Sequence, residues 1–256
     1  MAREFAILFD GSKCIGCKAC QVACKSWYEL PAEATELGES FNNPPDLTPH
    51  TWLRIHFVER VQDGDFRWYF QRISCMHCDE PPCVYNCPTT AIRKLPEGPV
   101  VIDQALCIGC YLCVQTCPFG VPRVQPGEGA FKCTMCADRI AAGRKPACVE
   151  SCPVDALEFG EKSVLREKAR SRAAAIGGYV YGDQEAGGTS VFYVTQVPPR
   201  ELGLPEVPPV RMSARVAGLM ARTGLVGVVI GAIIGGLAFL TRRRRRVAEL
   251  GGGEKR

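Results

Sequence analysis

The chain lacks the usual marks of substrate chemistry. There is no G-x-G-x-x-G run, no glycine-rich nucleotide loop and no recognisable pterin-binding signature. A strong excess of one charge is also missing. A net charge of +4 over 256 residues, much of it from C-terminal arginines, gives no basis for a nucleic-acid surface. The opening MAREFAILFDGSKC has one arginine and a short apolar run broken by Asp10. It offers no long hydrophobic region, no small-residue cleavage site and no twin arginine, so no secretory signal is expected there.

What the chain does have is 16 cysteines in four groups of four, with none left over. They are Cys14, Cys17, Cys20 and Cys24; Cys75, Cys78, Cys83 and Cys87; Cys107, Cys110, Cys113 and Cys117; and Cys133, Cys136, Cys148 and Cys152. Cysteine is about 6% of the chain, below the level of a small disulfide scaffold. Cysteines two or three residues apart in repeated tight loops suit shared metal centres better than crosslinks.

The third group, CIGCYLCVQTCP, is C-x2-C-x2-C-x3-C-P, the run that holds cubane iron–sulfur clusters. Its first three sulfurs wrap one centre, and the fourth Cys serves the other cluster of a pair. Gly16 and Gly109 permit the tight CIGC turns. Proline follows Cys87, Cys117 and Cys152, whereas Lys25 follows Cys24. The second group is stretched by DEPP and the fourth by ADRIAAGRKPA, yet each keeps four cysteines in order. Four [4Fe-4S] clusters are therefore expected, with all 16 cysteines as iron ligands. Structural zinc sites use separated pairs and do not need three cysteines in one seven-residue loop. Cluster ligation needs thiolates, which points to assembly in a reducing compartment. Spacing alone leaves two pairings open: adjacent groups, or first with fourth and second with third.

Around the cysteines the patterning is of short elements. FAILFD (5–10) reads as a strand, and 17–28 as a helix with Cys17, Cys20, Cys24 and Trp27 near one face. Residues 29–50 form a polar, Pro-rich loop. Residues 51–73 alternate as a hairpin about Asp63-Gly64-Asp65. TAIRKL-PEGP-VVID and 121–132, with its PGEG turn, are further hairpins; ALEFG (156–160) is a closing strand. CPTTAI, CPFGVP and CPVDAL repeat Cys-Pro before a strand-like segment, the ferredoxin pattern present twice over. Such small elements bury little apolar surface, so the clusters are expected to help hold the fold. Residues 161–178 read as a charged helix, 179–194 as a loop and strand, and 197–212 as an extended Pro-rich linker. His77 is expected to hydrogen-bond around a cluster, since the cysteine count is already complete. Lys13, Lys18, Lys25, Arg93 and Lys132 flank the cluster loops and could offset their negative charge; Trp27, Trp52 and Trp68 are expected in the core.

TGLVGVVIGAIIGGLAFLT (223–241) is uncharged and long enough to span a bilayer. Arg242 to Arg246 follow it, against Arg211, Arg215 and Arg222 before it. The positive-inside rule then puts the C-terminus in the cytoplasm and the cluster region outside. Gly227, Gly231 and Gly235 make G-x-x-x-G spacings that let a second helix approach.

DGSKCIGCKACQVACKSWYELPAE, RISCMHCDEPPCVYNCPTTAI, CIGCYLCVQTCPFGVPR and FKCTMCADRIAAGRKPACVESCP together resemble the iron–sulfur beta subunit of formate dehydrogenases. More broadly they are similar to four-cluster electron-transfer subunits of molybdopterin oxidoreductases. The likeness covers about residues 4–160 and extends through GGTSVFYV to about 194. CKSWYELPAE and the single C-terminal span favour the formate dehydrogenase type. The resemblance implies nested pairing: Cys14, Cys17, Cys20 and Cys152; Cys133, Cys136, Cys148 and Cys24; Cys75, Cys78, Cys83 and Cys117; Cys107, Cys110, Cys113 and Cys87. It implies a wire from the Cys14 cluster, beside a catalytic molybdopterin alpha subunit, to the Cys107 cluster, beside a membrane cytochrome b gamma subunit. It also implies export in folded form, carried by a partner with a twin-arginine signal. No substrate chemistry is expected of the chain itself. The rival readings are a hydrogenase or another molybdoenzyme as electron donor, a soluble polyferredoxin, and a zinc-bearing structural protein.

The expected architecture is α+β: two ferredoxin-like dicluster halves of short hairpins and helices, plus one C-terminal transmembrane helix. Its parts are a four-cluster domain (1–160), an extension with a Pro-rich linker (161–212), a membrane anchor (213–246) and a cytoplasmic tail (247–256).

Overall fold

The computed structural model describes residues 3–209, apart from 37, 39 and 63. The chain divides into a compact unit, Met1–Arg211, and a second, Met212–Arg256. The anchor expected at 213–246, its span at 223–241 and the tail at 247–256 lie outside the described residues. Among the described residues no helix is long and apolar enough to cross a membrane.

In chain order the elements are β1 (Phe5–Asp10), α1 (Ala19–Trp27), and the hairpin strands β2 (Leu53–Gln62) and β3 (Asp65–Ser74). Then come α2 (Pro82–Tyr85), β4 (Ile92–Lys94), β5 (Val100–Ile102), α3 (Leu112–Thr116), β6 (Arg123–Gln125) and β7 (Gly129–Phe131). The rest are α4 (Ala137–Ala141), α5 (Ala147–Glu150), β8 (Leu157–Glu161), α6 (Lys162–Ile176), β9 (Tyr179–Tyr181) and β10 (Val191–Thr195). The three hairpins β2–β3, β4–β5 and β6–β7 lie where alternation and turn residues put them.

One sheet organises the unit, in the order β8-β1-β10-β9. β1 pairs parallel with β10, Ile7 against Val191, and antiparallel with β8. The segment beyond residue 160 thus supplies an inner strand beside β1. Successive strand residues point to opposite faces. Ala6, Leu8, Phe192 and Val194 share one face and are covered by Leu165, Ala169 and Ala173 of α6, spaced four apart on one helix stripe. Ile7, Phe9, Val191 and Tyr193 face the other way, into a core that includes Cys20, Cys24 and Cys148. Burying each large apolar side chain on these faces stabilises the unit by about 1.5–3 kcal/mol. The first and fourth cysteine groups therefore dock on a sheet whose opposite face is closed by a helix, while Cys83, Cys87, Cys107 and Cys113 pack in a separate cluster with β4, β5 and β7.

Two expectations need correction. The described part of the 197–212 segment is packed, not a free extended linker. It forms a short 3-10 turn at Pro199–Leu202, buries Leu202 and Leu204, and accepts a hydrogen bond from Tyr181 Oη at Pro205 O, 2.7 Å. Two leucines in a Pro-rich stretch are enough to pin it. Trp27 is not core: it is 39% exposed. Its indole closes the C-terminal end of α1 from outside, donating to Asp138 Oδ2 at 2.7 Å and stacking under the Arg139 guanidinium.

Candidate iron–sulfur centres

The four cysteine groups share one backbone device. The residue before the second cysteine of each C-x2-C is left-handed in every group: Gly16 (φ 69°), His77 (50°), Gly109 (65°) and Met135 (58°). Glycine marks only two of these turns, so the repeat is fuller in structure than in sequence. A second repeat follows Cys-Pro, where Thr90 (φ 55°), Gly120 (61°) and Asp155 (48°) are left-handed at the same offset. At Gly16 the demand is also steric, because a Cβ would stand 2.6 Å from the Phe70 ring of β3. At Gly129 a Cβ would come within 3.2 Å of Cys107 Sγ.

The thiols converge across the sequence. Cys14, Cys17, Cys20 and Cys152 line one small cavity with Phe9 and Ile55. Cys24, inside α1, is pushed up by burial and then by Cys133, Cys148 and Cys136. Cys78 is pushed up by burial and then by Cys75, Cys117 and Cys83. Cys113 rises to about 11 through burial and the neighbouring Cys107 and Cys110, and it shares an apolar cluster with Cys87. Neighbouring sets also touch electrostatically. Cys148 acts on Cys20, Cys75 acts on Cys133, and Cys113 acts on Cys83. All 16 cysteines are free of disulfides, and only Cys17 and Cys110 are exposed.

Bare thiols packed this way resist ionisation. Burial pushes Cys20, Cys83 and Cys136 up to about 12. Thiolates in such positions need a cationic centre among them, which deprotonates its ligands outright. The loops carry donors for the resulting charge: the Ala130 amide donates to Cys107 Sγ and the Met135 amide to Cys133 Sγ, both at 3.3 Å. Cys87 differs from the buried thiols. Burial works against its thiolate, but the amides of Ile92, Thr89 and Ala91 outweigh it and hold the thiol below its ordinary value. Buried donor atoms left without a hydrogen-bond partner include Nε and Nη2 of Arg72 and Nε2 of His77. Since the Val100 amide donates to His77 Nδ1 at 2.9 Å, the ring carries its proton on Nε2. Soft thiolates, amide donors and orphaned buried N–H groups together fit [4Fe-4S] clusters. Among the described residues, no three His, Cys, Asp or Glu side chains converge as a single ion would need.

The flanking cations divide. Lys132 is buried, donates to Cys133 O at 3.1 Å and works against the rise of Cys83 and Cys117. Lys25 turns away from the clusters to Glu33, His50 O and Thr51. Lys18 bonds Phe41 O and lies over the Phe57 ring. Lys13 pairs with Glu158 at 3.8 Å, and Arg93 is exposed. The cation that sequence reasoning missed is Arg72, fully buried and within electrostatic reach of Cys148, Cys133 and Cys20. The sequence signal for it was slight: Arg72 is in phase with Trp68 and Phe70 along β3.

Four cysteine loops with repeated left-handed turns, two of them docked on the sheet, define a ferredoxin-type iron–sulfur protein. Two family models described as 4Fe-4S dicluster domains match it, over residues 13–91 and 66–162. The chain is 39% identical to the iron–sulfur subunit of the nitrate-inducible formate dehydrogenase of Escherichia coli, over 82% of this chain and 75% of that one. It is 37% identical to the formate dehydrogenase iron–sulfur subunit of Haemophilus influenzae, over 82% of this chain and 71% of that one. A subunit of the anaerobic dimethyl sulfoxide reductase of E. coli matches at 39%, over 68% of this chain and 82% of its own length. The protein belongs to the family of formate dehydrogenase iron–sulfur subunits. It is an electron-transfer subunit, not a catalytic one, it binds [4Fe-4S] clusters, and it works within a multi-subunit oxidoreductase.

Proposed function

We propose that the chain carries four [4Fe-4S] clusters in one wire, taking electrons from formate oxidation in a molybdopterin subunit and delivering them to a membrane cytochrome b and quinone. The ligand sets are Cys14, Cys17, Cys20 and Cys152; Cys133, Cys136, Cys148 and Cys24; Cys75, Cys78, Cys83 and Cys117; and Cys107, Cys110, Cys113 and Cys87. The observation that carries this reading is the chain of neighbouring thiols. Cys148 acts electrostatically on Cys20, Cys75 on Cys133, and Cys113 on Cys83, which supports a single order for the four sites. The two exposed cysteines, Cys17 and Cys110, belong to the first and last sites of that order, where electrons must enter and leave.

Bound clusters supply one-electron exchange, with potentials set by net charge, hydrogen bonds to sulfur and solvent exposure. The chain's own work is to hold thiolates, direct amides at them and keep the inner sites dry. In this proposal residues 223–241 anchor the chain, with the cluster unit on the outer face and the C-terminus in the cytoplasm. Support for that comes from the uncharged run and the five arginines after it.

The test is to purify the intact complex, count iron and follow reduction by EPR. About 16 iron atoms per chain and clusters reduced by formate are expected. Far less iron ends the four-cluster reading. Full iron with no reduction by formate transfers the chain to another donor, a hydrogenase or a different molybdoenzyme. The match to the dimethyl sulfoxide reductase subunit keeps that second reading in view.

A further inference from the structure

Arg72 lies on β3 with none of its surface exposed. Its one side-chain hydrogen bond among the described residues runs from Nη1 to Tyr193 Oη at 3.5 Å, which is long, while Nε and Nη2 have no partner. A guanidinium cannot shed its charge to escape burial. An unpaired buried cation is among the costliest placements in a protein, so a fold keeps one where an anion faces it. Burial alone would pull its pKa down. Tyr193, Cys148, Cys133 and Cys20 outweigh that and hold it above the ordinary value. The cross-strand partner of Arg72, Ile55, packs in the same buried cluster as Cys20, Cys24 and Cys148. Of the four cysteines named, Cys24, Cys133 and Cys148 fall in one proposed ligand set and Cys20 in the next.

We propose that Arg72 is the buried counter-charge of the cluster held by Cys133, Cys136, Cys148 and Cys24, raising its potential and, less strongly, that of the cluster held by Cys14, Cys17, Cys20 and Cys152. This rests on the ligand sets proposed above. Reduction adds one electron to a centre already negative through its thiolates, and a desolvated positive charge beside it stabilises that electron more than water would. Arg72 is thus a positioning and tuning residue at the second step of the wire.

The experiment is a dithionite titration of the intact complex followed by EPR, comparing wild type with Arg72→Gln and Arg72→Lys. The signal lost in Cys24→Ser marks the cluster in question. Arg72→Gln should lower the reduction equilibrium constant of that cluster at least tenfold, a fall of about 59 mV for one electron. The shift at the Cys14 cluster should be smaller, and at the other two within twofold. Arg72→Lys, which keeps the charge, should recover most of the loss. Unchanged potentials in Arg72→Gln with full iron overturn the proposal while the cluster reading stands; so do equal shifts in both variants. If Arg72→Gln does not assemble, wild type labelled with guanidino-15N arginine decides. Pulsed EPR of the reduced protein should show 15N coupling on the Cys24-dependent signal, and its absence overturns the proposal. Wild type short of about 16 iron atoms per chain removes the ligand sets themselves, and the proposal with them.

Discussion

Arg172 of α6 donates from Nε to Asp10 Oδ2 at 2.8 Å, and so ties the covering helix to the end of β1 just before the first cysteine loop. Its Nη2 donates to Ser12 Oγ at 2.9 Å, while Ser12 N and Oγ donate to Asp10 Oδ1 at 3.0 and 2.5 Å. Burial works against the Asp10 carboxylate, yet the bonds from Ser12 and Arg172 outweigh it and its pKa lies below 3.8. Asp10→Asn should cost about 1.5–3 kcal/mol at neutral pH, the range for hydrogen bonds to charged groups. The folded pKa is the lower one, so this stabilisation is fully present above 3.8 and disappears as pH falls through the folded value. Denaturant midpoints of wild type and variant should converge in that acid window. A gap that persists there would show that Asp10 acts by shape and not by charge.

The nested ligand sets predict which cysteines behave as one. Cys24 lies in the first group by sequence, but its thiol feels Cys133, Cys148 and Cys136. Cys152 lies in the fourth group but lines a cavity with Cys14, Cys17 and Cys20. Cys24→Ser and Cys133→Ser should therefore perturb the same EPR signal, and Cys152→Ser and Cys14→Ser a different one. Under adjacent pairing of the first two groups, Cys24→Ser would instead alter a signal shared with Cys75→Ser.

Much of this was legible because thiolate chemistry constrains spacing so tightly. The four groups, the three hairpins, α1 and α6 all follow from local patterns. The proposed nesting was not legible from spacing, because what supports it, Cys152 lining a cavity with Cys14, Cys17 and Cys20, joins parts of the chain far apart in sequence. Trp27 misled: its spacing matches the cysteine face of α1, but Asp138 and Arg139 hold the indole at the surface. Arg72 was passed over because an arginine in a hairpin is ordinarily solvated. In the fold it is fully buried, bonded to Tyr193 Oη and within electrostatic reach of Cys148, Cys133 and Cys20.

Gly16 answers two demands at once, and they can be separated. Its φ of 69° disfavours any side chain, and a Cβ would press on the Phe70 ring at 2.6 Å. The left-handed conformation alone costs a non-glycine residue about 1–2 kcal/mol. Gly16→Ala should cost more than that, with the excess recovered when Phe70→Leu is added. The measurement is a double-mutant cycle on thermal unfolding, with iron content checked in each variant. If Gly16→Ala costs no more beside Phe70 than beside Leu, the ring contact is not what excludes the methyl group.

The anchor proposed at residues 223–241 is testable apart from the clusters. Nineteen residues of helix at about 1.5 Å each reach about 28 Å, close to the hydrocarbon thickness of a bilayer. The sheet, α6 and every cysteine lie before residue 210. Truncation after residue 209 should therefore leave iron content unchanged while the chain expressed alone moves from the membrane to the soluble fraction. Arg242 to Arg246 set the expected orientation, so a C-terminal tag should be cut by protease in inside-out vesicles and protected in right-side-out ones. Replacing those five arginines with serine should weaken that preference and leave the clusters intact. Recovery of the full-length chain without detergent would remove the anchor and favour a soluble electron carrier.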